Sequence, residues 1–170
     1  MESDYSYLLD ANFFIQAKKS FSPIDVFPCY WSKLKALADE GVVFSIDKVK
    51  QEIDRGNDSL TEWCNSNLPS SFFRSTATTE CLLEYQNIIQ WANSNDQFSD
   101  NAKNVFSKSD EADAFLIAYT KANAPFCKLV TYEKSSPQSR NNIKIPDACN
   151  ENNTLYIEPL DMFREIRETF

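Results

Sequence analysis

The sequence predicts a single α/β domain with a short parallel sheet, on three observations. Short apolar runs recur along the chain with amphipathic helical stretches between them, which is the pattern of parallel strands joined by right-handed crossovers. The 170 residues, 42% of them apolar, are enough for one well-buried core and too few for two ordinary domains. The first apolar run stops at Asp10, as happens where an open α/β sheet presents a carboxylate at a strand end. The expected architecture is three-layered, α/β/α, with about four strands and a helical insertion at roughly 57–107, all in one domain spanning 1–170.

Taken in order, residues 5–10 read as a buried strand, and 12–18 as the start of a helix with Phe13, Phe14 and Ala17 on one side. Residues 30–40 place Trp31, Leu34, Leu37 and Ala38 at helical spacing, and Gly41 suits the position just past that helix. Residues 42–46 form the second strand, after which Asp47 is expected to cap a helix carrying Val49 and Ile53. From 57 to 107 the pattern is helical, at 60–64, 81–92 and 101–106, with no strand. A helix over 111–123, a strand over 128–132, a strand over 154–157 and a closing helix over 160–167 complete the set. Residues 134–142, rich in Ser and Asn, read as a mobile loop.

Composition excludes whole classes of chemistry. The chain has no histidine, which removes Ser-His-Asp and Cys-His catalysis and HExxH zinc sites. Its two glycines, Gly41 and Gly56, cannot build a phosphate loop or a dinucleotide fingerprint. Five cysteines, an odd number with no CxxC pair, suit reduced and mostly buried thiols. There is no leader-like or membrane-spanning segment, so a cytoplasmic protein is expected. What remains is carboxylate chemistry, for which oxygen-ligated Mg²⁺ or Mn²⁺ is the natural agent. A net charge of −8 speaks against a general basic face for nucleic acid, but bound cations would reverse the field at a carboxylate cluster.

The topology brings distant acids together. Ligands of an open parallel sheet bind beyond the carboxyl ends of its strands. Asp10 ends the first strand, Glu52 lies in the helix after the second, Asp110, Glu111 and Asp113 lie in the first turn of a crossover helix, and Glu133 follows the third strand. Each also has a plainer reading, as a helix cap for Asp10, a solvated helix residue for Glu52 and favourable helix-dipole partners for the acids at 110–113.

The stretches SYLLDANFFI, DKVKQEI, SDEADAFLIAYTKAN and LVTYEK, together with IPDAC near the end, resemble the PIN-domain nucleases. They look most like a PIN-like bacterial subgroup, known as a domain of unknown function, that is related to VapC-type toxins. The resemblance implies that Asp10, Glu52 and Asp113 are the core metal-binding acids, with Glu133 catalytic in place of the more usual Asp and Thr131 matching the Thr before it. Asp147 competes with Glu133 for the fourth metal position, and Asn12 and Asp110 are supporting polar residues.

The implied activity is Mg²⁺- or Mn²⁺-dependent hydrolysis of RNA by the toxin of a type II toxin–antitoxin module. An antitoxin protein and a homodimer are the implied partners, with no membrane. Lys48, Lys50, Lys134, Arg140 and Lys144 are candidates for gripping the RNA backbone. Trp63, Phe72, Phe73 and Trp91 are candidates for stacking on bases, although their context reads first as core. The apolar stripe of Cys81, Leu82, Tyr85, Ile88, Ile89 and Ala92 is either a buried helix face or a groove for a partner. Two rivals stand beside the nuclease, a catalytically silent PIN-like binding module and a haloacid-dehalogenase-type phosphatase. The second wants a further Asp where Asn12 stands.

Overall fold

A computed structural model describes residues 5–169. In chain order the elements are β1 (Ser6–Leu9), α1 (Ala11–Gln16), α2 (Pro28–Asp39), β2 (Val43–Ile46), α3 (Asp47–Gly56), α4 (Ser59–Asn67), β3 (Phe73–Arg74), α5 (Thr79–Ser94), α6 (Asp100–Phe106), α7 (Asp113–Ala122), β4 (Cys127–Val130), α8 (Ile145–Glu151), β5 (Tyr156–Ile157) and α9 (Pro159–Glu165). A wider π turn over Ala17–Phe21 extends α1. The sheet has five strands, all parallel, in the order β3-β2-β1-β4-β5. The architecture is α/β in three layers, as the sequence pattern predicts.

The central strands are apolar throughout because helices cover both faces of the sheet. Tyr7, Leu8 and Leu9 on β1 and Leu129 and Val130 on β4 have no exposed surface. On one face α1 packs on α3 and α3 on α4; on the other α7 lies against β4, α5 and α8. Helix α7 is so enclosed that every residue from Ala114 to Thr120 is buried. Fully burying an aliphatic or aromatic side chain contributes about 1.5–3 kcal/mol, so α7 and the strands beside it anchor the domain.

The strand order reverses between β1 and β4. The chain runs from β1 outward through β2 to β3, then returns across the sheet to β4 and continues to β5. That reversal is a topological switch point, where helices leaving the two strands diverge and open a crevice.

Several expectations are corrected. The region from 57 to 107 does contain a strand: β3 pairs Ser45 with Phe73 and Ile46 with Arg74. Two residues carry no readable alternation, and what holds them is tertiary, since Phe72 is buried and meets Phe14 edge-on at 6.1 Å. Asp47 does not cap α3; it is the first helical residue, and its carboxylate accepts from the Thr76 N–H at 3.1 Å and hydroxyl at 2.8 Å, tying α3 to the end of β3. Gly41 does take the post-helical position, with φ +74°.

Residues 134–142, read as a mobile loop, have no regular structure but are hydrogen-bonded to the region of 97–99. Gln97 donates to the Pro137 and Ser139 carbonyls, and the Ser99 N–H donates to the Arg140 carbonyl. All five cysteines are free thiols, and Cys29 alone is exposed. Among the described residues no helix is long and apolar enough to cross a membrane.

Candidate acidic site at the sheet switch point

Asp10 directly follows β1 and is almost completely buried. Its Oδ1 accepts the Phe13 N–H at 2.6 Å, so it caps α1. Its Oδ2 accepts the Thr131 hydroxyl at 2.7 Å. The cap and the rim position are therefore compatible, because one oxygen serves the helix while the other faces the strand next door. Thr131 follows β4 and is itself buried; its Oγ1 also accepts the Glu133 N–H at 3.1 Å. One hydroxyl thus joins the chain after β1 to the chain after β4 across the switch point.

Asp113 opens α7. With Glu111 and Glu133 it lines a cavity of about 140 Å³, whose far side is formed by Ala102 and Phe106 of α6 and by Asn142, Ile143 and Lys144. Glu133 is held by both oxygens, Oε1 by the Lys144 ammonium at 3.1 Å and Oε2 by the Ile145 N–H at 2.8 Å, at the start of α8. Glu52, on α3, is partly exposed.

The electrostatics show which acids form one group. Burial pushes the Asp10 carboxyl up to about 7 against the pull of its Thr131 and Phe13 hydrogen bonds, with the charges of Glu133 and Glu52 adding to the rise. Burial likewise pushes Asp113 up to about 7, reinforced by Glu133, Asp10, Glu52 and Glu111. Glu52 is raised by desolvation and then by Glu111, against the opposing pull of Arg55. Like charges crowded into a weakly solvated crevice disfavour one another's ionisation. The set is Asp10, Glu52, Glu111, Asp113 and Glu133.

The remaining sequence candidates divide. Asp110 is exposed and faces Arg55, 3.4 Å from its guanidinium; the acid that reaches the cavity from this turn is Glu111. The turn is not helical, because α7 begins only at Asp113 with Ala112 as its cap. The resemblance implied Asp110 as the supporting acid of this turn, and the structure turns Glu111 to the cavity instead. Asp147 accepts from the Ser135 hydroxyl and, at 2.8 Å, from the Ser136 N–H. It borders a different depression, beside Trp91 and Gln97, so of the two acids competing for the fourth corner the structure groups Glu133 with Asp10. Asn12 is exposed on α1.

The cations and aromatics are largely occupied. Lys50 pairs with Asp54, Lys134 with Glu158 and Lys144 with Glu133, while Lys48 lies over the Phe115 ring at 4.9 Å. Arg140 is exposed. Trp63 packs on Trp31 at 4.7 Å, Phe72 on Phe73 at 4.9 Å and Trp91 on Phe98 at 6.0 Å. These rings are structural. The stripe on α5 faces α7, where Tyr85 stacks on Phe115 at 4.0 Å, and only Leu82 of the stripe is turned to solvent.

The donor set is all hard oxygen, which suits Mg²⁺, Mn²⁺ or Ca²⁺ and not a soft metal. Among the described residues no three acidic or thiol side chains already stand at the mutual spacing of a ligand cage. The raised carboxyls nevertheless mark a crowded group whose ionisation is disfavoured by desolvation and like charge, with Lys144 the one ammonium bonded to the group among the described residues. The donor chemistry fits a divalent cation on that ground.

Fold and site together define an α/β domain with an acidic crevice at the switch point of a parallel sheet. Residues 7–170 match the family described as a domain of unknown function, DUF4411, and the chain belongs to that family. No curated protein and no solved structure matches it.

Proposed function

We propose that this protein is a PIN-type, metal-dependent endoribonuclease whose site is the Asp10, Glu52, Asp113 and Glu133 cluster, with Glu111 as an added member. The observation that carries the reading is the pair Asp10, buried, and Asp113, half-buried, both raised to about 7 by desolvation and by surrounding acids, in the crevice where α/β sheets bind ligands. A structural pair of this kind is costly unless something compensates the charge. Mg²⁺ or Mn²⁺ would be held by Asp10 and Asp113, with Glu52 and Glu111 as neighbouring acids; bound there, it would supply hydroxide near neutral pH and offset charge on the phosphate oxygens.

The chain's own residues have definable tasks in this reading. Thr131 orients Asp10, leaving that carboxylate a fixed direction. Glu133, tied to Lys144 and the α8 N-terminus, positions the wall of the cavity, and Lys144 offers an ammonium for a phosphate once Glu133 turns elsewhere. The further steps, a cytoplasmic toxin with a protein antitoxin and an active homodimer, rest on the sequence resemblance alone. Growth arrest on expression, relieved by the product of a neighbouring small gene, tests them.

The silent-module reading draws on one observation, that both Glu133 oxygens are already engaged. Calorimetric titration with Mn²⁺, paired with thermal melting, separates the two. Heat of binding together with a rise in melting temperature supports the nuclease; neither signal at millimolar Mn²⁺ leaves only the binding module.

A further inference from the structure

A second concavity opens beside the acids. It has a volume of about 450 Å³ and is walled by Phe21, Phe27, Tyr30, Tyr132, Leu160 and Phe163. The π turn after α1 supplies Phe21, the start of α2 supplies Phe27 and Tyr30, and α9 supplies Leu160 and Phe163. Phe21 lies nearly parallel to Tyr132, with ring centroids 5.4 Å apart, and Tyr132 in turn stacks on Phe13 at 6.3 Å. Phe21, Phe27 and Leu160 keep 58%, 44% and 63% of their surface exposed, so apolar area faces the opening.

Two features say what would enter. Among the described residues no charged side chain lines the cleft; its polar residues are Ser22, Cys29, Tyr30 and Tyr132. The occupant is therefore neutral and flat, with edges that can accept or donate hydrogen bonds. The cleft also neighbours the acidic site, since its wall residue Tyr132 lies near enough to Asp10 to feel that carboxylate's charge. Thr131 turns inward to Asp10, and its immediate neighbour Tyr132 forms the cleft wall. The Phe13 N–H binds Asp10 while the Phe13 ring backs Tyr132. A strand of nucleic acid with a phosphate over the acids would thus carry an adjoining base past this wall.

We propose that the Phe21–Tyr132–Phe163 cleft is a nucleobase subsite, taking an unpaired base of a single-stranded nucleic acid whose phosphate lies over the Asp10 and Asp113 acids. This inference rests on the nuclease reading for its phosphate, and adds a requirement that the substrate be single-stranded at the nucleotide flanking the cut. Base stacking on aromatic side chains is tolerant of sequence, so the cleft selects an unstacked base more than a particular one.

Cys29 provides a native probe, since it lines the cleft and the other four cysteines are buried. The full chain is treated with iodoacetamide in Mn²⁺, and the rate of Cys29 alkylation is followed by mass spectrometry. The added probe is a single-stranded hexaribonucleotide with hydrolysis-resistant phosphorothioate linkages, or the same backbone with every base removed. The base-bearing probe is expected to slow alkylation and the abasic one not to. Phe21→Ala, at an exposed position outside the acid cluster, is expected to weaken the base-bearing probe by about five- to a hundredfold and leave the abasic probe unchanged. If both probes bind equally and neither protects Cys29, the cleft holds no base and the subsite is overturned while the nuclease reading stands. Failure of both to bind overturns the subsite and the phosphate site together. Protection that rises with protein concentration alone, with a dimer that Phe21→Ala dissociates, assigns the cleft to a second copy of the chain and also overturns the proposal.

Discussion

Two regions at one end of the sheet hold aspartates of very different character. In the crevice between β1 and β4, Asp10 and Asp113 are raised to about 7 by burial and by neighbouring acids. A short way along the chain, Asp110 faces Arg55 and Asp147 accepts from Ser135 and the Ser136 backbone. The outer pair has been given partners; the inner pair has been given hydrogen bonds at Asp10, like-charged neighbours, and one ammonium held on Glu133. Residue type and sequence proximity do not separate these groups. The compensation each one receives does, and a crowded, weakly solvated acidic group is the feature on which the metal-dependent proposal rests.

The largest effect that could break this contrast is loss of cleavage. Asp113→Asn is expected to abolish Mn²⁺-dependent hydrolysis of single-stranded RNA, by at least about a thousandfold given the several kcal/mol a bound cation contributes. The same variant without metal is expected to melt at a higher temperature, because one of the crowded charges is gone. Asp113 is the cleaner position to test, since Asp10→Asn would also place an amide against the Thr131 hydroxyl that Asp10 accepts. Full cleavage by purified Asp113→Asn would end the nuclease assignment.

The pH dependence of stability is the next test. Asp10 and Asp113 titrate near 7 when folded, against an ordinary value of 3.8. Between those values the folded chain holds protons that the unfolded chain has released. Stability from these groups is therefore fully present below about 4 and is lost as pH rises through 7. In chelator the melting temperature of the native chain should fall between about pH 4 and 7 and level off above that, and Asp113→Asn should show a shallower fall. Mn²⁺ should oppose the trend, because it binds the ionised forms. Equal slopes for the two chains would show that the Asp113 carboxyl is not raised in the folded chain.

Thr131→Val probes the hinge between the regions. The substitution keeps the shape of a buried side chain while removing the hydroxyl that serves both Asp10 and the Glu133 N–H. Leaving buried polar groups unpaired costs about 1–3 kcal/mol each, so a clear drop in melting temperature is expected, with weaker Mn²⁺ binding as Asp10 loses its orientation. Thr131→Ser should restore most of both. Equal behaviour of Val and Ser would show that the hydroxyl has no part in the site.

How much of this contrast the sequence carries depends on what places each residue. Asp10 and Glu133 were legible because they end apolar runs, and a strand's end is set by the run itself. Glu52 and Asp113 were legible because each sits in a helix that leaves the carboxyl edge of the sheet, Asp113 at its first residue. Asp110, Glu111 and Asp113 were all legible as rim acids, but which of the first two faces the cavity was not, because the turn before α7 is irregular and periodicity has no purchase on a turn. Strand β3 was hidden because two residues pair only when Phe72 is anchored in the core. The aromatic cleft was out of reach for a related reason: its walls come from a π turn, a strand end and two helices far apart in the chain. The aromatics that sequence reasoning offered for stacking instead fill gaps between elements.

The smallest expected effects fall on the outer pair, and they sharpen the comparison most. Asp110→Asn removes an exposed ion pair of the kind that contributes about 0–1 kcal/mol, and should leave Mn²⁺ affinity and cleavage at native levels. Asp147→Ala releases Ser135 and Ser136, so the segment 134–144 should exchange its amide hydrogens faster. Its other anchors, Gln97 and the Glu133 contact with Ile145, remain and should hold the cavity wall in place. Hydrogen exchange and a Mn²⁺ titration on the same sample distinguish the two roles. Faster exchange with unchanged affinity identifies Asp147 as a tether for the segment. Loss of Mn²⁺ binding with unchanged exchange would move Asp147 into the inner group, and the division between compensated and uncompensated aspartates would no longer mark the site.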